Sequence, residues 1–153
     1  MEVGLSETEV ASGEPMPEQP TQARRFRKAR VDRSTVQRED YVELIDDLVA
    51  AYGEARATDV AKRLGVTHPT AVKTIGRLEK EGLVSSRPYR GVTLTEAGHR
   101  LAERVRARHR LVVDLLVAVG VAADVAEADA EGMEHHASDA TLAAFARFLG
   151  RCA

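Results

Sequence analysis

Cysteine is almost missing from this sequence. The single one, Cys152, stands next to last in 153 residues, so neither an intrachain disulfide framework nor a cysteine metal cluster can form. Long apolar runs are missing too. No stretch approaches the ~20 apolar residues of a membrane span, and the first residues lack the apolar segment of a signal peptide, which predicts a cytoplasmic protein. There is no His-Glu-x-x-His pair, no nucleophile constellation and no Gly-rich phosphate loop, and these absences count against a metallohydrolase. Positive charge is missing from residues 111–140, which hold seven acids and no Lys or Arg, whereas residues 61–110 hold twelve Lys or Arg against four acids. The net charge of -2 conceals this division. Such asymmetry points to a nucleic-acid face joined to an acidic half able to take up cations. A hydrophobic content of 44% suffices for a core in one or two small domains.

Residues 1–36 mix Glu, Pro, Gly, Thr and Ser before a basic run of Arg24, Arg25, Arg27, Lys28, Arg30 and Arg33. With no apolar period to offset its ordering entropy, this segment is expected to be a disordered, solvated tail, the alternative being a flexible arm whose basic run touches DNA phosphates. From Glu39, Tyr41, Leu44, Ile45, Leu48, Val49 and Tyr52 recur at helical spacing up to Gly53. Thr58 is placed to cap a short helix ending at Leu64, Gly65 to make a sharp turn, and Thr67 to cap a second helix that tolerates Pro69 in its first turn. This is the pattern of a helix-turn-helix. In the second helix Ala71, Val72, Ile75 and Leu78 are expected inside. Thr67, His68, Pro69, Thr70, Lys73, Thr74 and Arg77 form the candidate face for a DNA major groove. Residues 83–95 alternate apolar and polar around a Pro/Gly turn, a hairpin that would serve as a wing, with Arg87 and Arg90 at its tip to meet phosphates.

Thr95 begins a long helix to about Val119, with Leu101, Ala102, Val105, Val112, Leu116 and Val119 on one stripe and His109 within it. A helix from about Ala123 carries Glu131-Gly132-Met133-Glu134-His135-His136, and Ser138 caps a last helix with Leu142, Phe145, Phe148 and Leu149 facing inward. The fold class expected is mainly α with a small β-hairpin. A winged helix-turn-helix domain spans 37–96, and a helical metal-binding and dimerisation domain spans 97–153. The second region has little core of its own, which favours a homodimer.

If helical, Glu131, Glu134 and His135 leave one face at i, i+3 and i+4, as several metal ligands would. Asp40 and Glu43 lie one turn apart on the first helix, and His109 supplies another imidazole. Together these six are oxygen and nitrogen donors suited to a divalent manganese, iron or zinc ion. Brought together, four carboxylates repel one another unless a cation neutralises them, so metal-free separation and metal-bound closure form a two-state element. His136 is read as a plain helix residue.

The run from Asp40 to His136, with Arg90-Gly91-Val92-Thr93-Leu94-Thr95 in the wing, Arg108-His109 and the Glu131–His136 motif, resembles the manganese transport regulators. These are the manganese branch of the diphtheria toxin repressor superfamily. The resemblance covers about residues 36–150. It implies a winged-helix homodimer that binds a two-fold symmetric DNA operator and represses manganese-uptake genes, with one or two Mn(II) ions per subunit. It also implies Asp40, Glu43, His109, Glu131, Glu134 and His135 as the ligands. Where the iron branch places methionine and cysteine, Asp40 and Glu131 stand here, and their harder oxygen suits manganese. Alternatives are a winged-helix repressor sensing iron, another divalent metal or an organic ligand, with a metallohydrolase last.

Overall fold

The computed structural model describes residues 15–150, apart from the side chain of Asp32. The expectations for residues 1–14 and Cys152 lie outside this range. Six helices and one hairpin follow in the order α1 (Gln19–Tyr52), α2 (Ala57–Leu64), α3 (His68–Lys80), β1 (Val84–Arg87), β2 (Gly91–Leu94), α4 (Glu96–Ala118), α5 (Ala123–Met133) and α6 (Asp139–Phe148). This is the winged helix-turn-helix followed by a helical region that the apolar periods describe.

The N-terminal boundary differs from the expectation. Residues 19–36, expected to be disordered, are the first half of the 34-residue α1, with Pro20 in its first turn. Ala, Arg, Lys and Gln are strong helix formers, and here they extend a helix already nucleated by the packed residues downstream. Burial begins at Glu39, and Tyr41, Val42, Ile45 and Leu48 enter the main core. That core also takes Val60, Ile75, Leu78, Val84, Val92, Leu94, Leu101, Ala102 and Val105, so the first half of α4 belongs to the winged-helix packing. A second, smaller cluster of Val112, Ala130 and Leu142 joins the rest of α4 to α5 and α6.

Capping accounts for the sharp starts. Thr67, Thr95 and Ser138 accept hydrogen bonds from the backbone N–H of Thr70, Gly98 and Thr141 at 3.3, 3.2 and 3.3 Å. Thr58 does not cap α2: Arg56 occupies that position, and Thr58 lies inside the first turn. The hairpin is antiparallel, Val84 opposite Leu94 and Arg87 opposite Gly91, and Ala55 anchors β2 through reciprocal bonds with Val92 of 2.9 and 2.7 Å. In α3, Thr74 is buried and Val72 is 48% exposed, the reverse of the expected assignment. At ~100° per residue Thr74 falls beside Ile75 and Leu78 in the apolar stripe, whereas Val72 falls outside it. The burial takes the Thr74 hydroxyl off the candidate reading face.

Candidate metal centre and nucleic-acid face

Three helices distant in the chain supply the acidic centre. α1 brings Asp40 and Glu43, α4 brings His109, and α5 with the turn after it brings Glu131, Glu134 and His135. The helix α5 ends at Met133, earlier than expected: Glu134 is its cap residue, and His135 and His136 stand in the following turn. Glu134 keeps helical dihedrals of -59° and -36°, so the chain has not yet left the helical path there. Two triads result. Ligand atoms of Asp40, Glu131 and His135 lie within 4.8 Å of one another, as do those of His109, Glu131 and Glu134, and Glu131 is common to both. Glu43 belongs to neither triad but lines the same cleft as Asp40, Glu131 and His135.

The two imidazoles are held alike. His135 Nδ1 donates to the buried Glu39 carboxylate at 2.7 Å, and its Nε2 lies 3.2 Å from Asp40 Oδ1 and 3.6 Å from Glu134 Oε1. His109 Nε2 pairs with Glu127 Oε2 at 2.7 Å, and its Nδ1 lies 3.4 Å from Glu131 and 3.7 Å from Glu134. In each ring one nitrogen is anchored on a carboxylate and the other faces the acidic cluster. The inward nitrogens, and both oxygens of the fully buried Glu134, have no hydrogen-bond partner. Buried polar atoms are seldom left so, and four converging orphans suit a cation.

Ionisation follows from this crowding. Burial pushes the Glu134 carboxyl up to about 7, with repulsion from Glu131 and Glu43 adding to it against the attraction of His135 and His109. Burial also raises Glu43, helped by Glu131 and Asp47. His135 is pushed up to about 10, because the Asp40 carboxylate 3.2 Å from its Nε2, the hydrogen bond to Glu39 and the Glu134 charge outweigh burial. His109 moves up for the same reason, through Glu127, Glu134 and Glu131. Glu39 is lowered: burial opposes its charge, but hydrogen bonds from His135 and Arg108 prevail. A cluster that raises its acids and holds its imidazoles charged is short of positive charge.

Glu39 and Glu127 carry no role in the sequence expectations, and Arg108 enters there only beside His109. Helical spacing offered a signal for the two acids. Glu39 precedes Glu43 by one turn, and Glu127 precedes Glu131 by one turn, so each extends a face already carrying candidate ligands.

On the opposite functional face, Thr67, His68, Pro69, Thr70, Lys73 and Arg77 are exposed along α3, and Arg87 and Arg90 are exposed at the wing. Between the two wing arginines Tyr89 is wholly exposed and takes a left-handed φ of 66°. Arg77 reaches back to α1 and donates to Gln37 Oε1 at 2.7 Å.

Two family models match the chain. "Iron dependent repressor, N-terminal DNA binding domain" covers residues 34–92, and "Iron dependent repressor, metal binding and dimerisation domain" covers residues 95–153. The transcriptional regulator MntR of Escherichia coli is 51% identical over 110 residues, 72% of this chain and 71% of that protein. The HTH-type transcriptional regulator MntR of Lysinibacillus sphaericus is 39% identical over 100 residues, 65% of this chain and 72% of that protein. Among solved structures, a manganese-dependent transcriptional repressor in complex with manganese is 33% identical with a TM-score of 0.61. The match covers 73% of this chain and 52% of that longer one. A hypothetical protein from Sulfolobus solfataricus shares the fold at 22% identity and a TM-score of 0.65, over 74% of this chain and 88% of that one.

Proposed function

Because the chain belongs to the iron-dependent repressor family, we propose that it is a manganese-responsive, DNA-binding transcriptional repressor that acts as a homodimer on a two-fold symmetric operator. Both family models describe repressor domains, and the chain is read as a repressor and not as an enzyme. The observation that carries the metal reading is the set of orphaned, converging atoms on His109, Glu134 and His135, each imidazole oriented by a carboxylate on its far nitrogen. Manganese as the signal rests on two supports: the oxygen donors Asp40 and Glu131 in a thiolate-free cluster, and the names of the relatives.

Asp40, Glu43, His109, Glu131, Glu134 and His135 would hold the ion, and the two triads sharing Glu131 support as many as two ions per subunit. When bound, the ion supplies the positive charge that lets these carboxylates stay together. The chain does the rest through its helices. Asp40 and Glu43 belong to the helix that packs under the reading head, and Glu131, Glu134 and His135 belong to the dimerisation half. Fixing one set against the other therefore fixes the direction in which α3 points, and with two copies it fixes the spacing of two α3 helices. Thr67, His68, Pro69, Thr70, Lys73 and Arg77 are then the groove-facing set, with Arg87 and Arg90 on phosphates. Thr74 supports α3 from within.

A gel-shift titration of the protein's own promoter region with Mn, Fe and Zn in parallel tests this. Manganese is expected to raise operator affinity at least about tenfold, the scale of allosteric couplings. Asp40→Ala combined with His135→Ala is expected to abolish the rise. Equal affinity with and without metal would overturn the reading.

A further inference from the structure

The amino-terminal half of α1 is a helix without a core. Residues 19–38 hold Arg24, Arg25, Arg27, Lys28, Arg30, Arg33 and Arg38 against the single acid Asp32. All but Arg38 of these cations are exposed, and so is Phe26, at 63%. Among the described residues no ion pair is recorded for Arg24, Arg25, Arg30 or Arg33. A charged helix standing in water, at +6 over twenty residues, is a strong attractor for a polyanion.

Its faces can be sorted by what α1 touches. At ~100° per residue, Arg33 and Arg30 lie within about 40° of Gln37, one and two turns before it. Gln37 accepts from Arg77 of α3, a member of the proposed groove-facing set. Lys28 lies about 180° from Gln37, and its Nζ indeed reaches the other way, to the His136 carbonyl 3.2 Å off in the turn after α5. So one face of the extension leans on the metal-binding half, and the opposite face runs on from the edge of the reading head.

We propose that this second face, through Arg30 and Arg33, is a third DNA-contacting element that grips phosphates beyond the segment read by α3 and the wing. The inference rests on the function proposed above and names a further part of the same interface. Its occupant is duplex DNA rather than the acidic surface of a second copy, because the face leads through Gln37 to Arg77 of the reading head. Since Asp40 and Glu43 stand on the same unbroken helix, the arm is aimed by the centre that aims α3. Phosphate contacts carry no sequence information, so the arm adds affinity to operator and non-operator DNA alike.

The test is fluorescence anisotropy of full-length protein at saturating manganese, on labelled duplexes from its own promoter region and of scrambled sequence, across a salt series. Arg30→Gln with Arg33→Gln is expected to lower the slope of log affinity against log salt by about 3 to 4 per dimer. It should weaken both duplexes by at least tenfold at low salt, with their ratio unchanged. Arg24→Gln with Arg25→Gln, on other faces, is expected to change the slope by less than half as much. A slope unchanged in the first variant while wild type keeps its manganese response would overturn the inference alone, as would equal losses in the two variants. Weakened self-association of the first variant in sedimentation would overturn it in favour of a second copy as occupant. A wild type without any manganese response would strike the proposed function itself, and the arm with it.

Discussion

Glu39 shows how one side chain outside the proposed ligand set can decide the state of a proposed ligand. It is 3% exposed, accepts from His135 Nδ1 at 2.7 Å and pairs with the Arg108 guanidinium. By accepting from Nδ1 it leaves Nε2, which faces Asp40 and Glu134, as the nitrogen that can give up its proton to a metal ion. Truncating it leaves a part-buried guanidinium and an unanchored, buried imidazole. Breaking a buried pair in this way costs about 3–5 kcal/mol. Glu39→Ala is accordingly expected to lower thermal stability in chelator and to weaken manganese binding by about 10–100-fold. Glu39→Gln fills the same space and still accepts through its amide oxygen, so it should recover most of the stability but not the affinity. Calorimetry and thermal melts of the two variants separate these effects, and unaltered manganese affinity in both would refute the role. The six proposed ligands were legible as candidates in the sequence because carboxylate and imidazole at one-turn spacing suit a metal. Glu39 was not, because an acid at the edge of an amphipathic helix reads as solvated until the partner 96 residues away is known to fold over it.

At the scale of the element, the hairpin and α4 meet at a point where only glycine fits. A Cβ on Gly98 would stand 2.1 Å from the Leu83 carbonyl oxygen and 3.2 Å from Leu94 Cβ. That carbonyl already accepts from Thr95 N at 3.1 Å, so the backbone cannot give way without losing the start of α4. Gly98→Ala is expected to destabilise by about 1–3 kcal/mol, as overpacking does. Gly76 in α3 has nothing within 4 Å of a built Cβ and no positive φ. Gly76→Ala is thus expected to stabilise by about 0.5–1 kcal/mol through helix propensity. Denaturant melts of the pair check both signs, and equal effects would refute the contrast. Helix starts at Thr67, Thr95 and Ser138 could be read directly, whereas the hydroxyl of Thr58, chosen by the same rule, lies inside the first turn of α2. The start of α1 could not be read. Its basic half buries nothing, and only continuity with residues 39–52 makes it helical. Thr74 was misread for a related reason: polarity suggested an outward residue, but its angular position places it in the stripe, where a small hydroxyl is tolerated.

The described residues pack into two cores of unequal size, with α4 running through both. Beyond that helix, α1 and the end of α5 are joined chiefly by polar contacts: His135 to Glu39 and Asp40, and Lys28 to the His136 carbonyl. The apolar cores would hold without the metal, whereas this seam gathers acids that repel. Removing the ion should therefore loosen the seam and leave the winged-helix core as it is, because local opening draws on contacts at the opening site and not on global stability. In hydrogen exchange, chelation is expected to speed the amides of residues 134–137 at the end of α5 and, to a smaller extent, those around Asp40. The amides of Ile75, Leu78 and Val105 should keep their protection, since their contacts are apolar and complete within the first core. Asp40→Ala should show the loosened pattern even with manganese present. Exchange that rises uniformly through α1, α3 and α4 on chelation would mean that metal stabilises the whole fold and does not act on a joint. Unchanged exchange at 134–137 would mean that the seam holds itself, and the two-state coupling of metal to reading-head direction would then have no moving part.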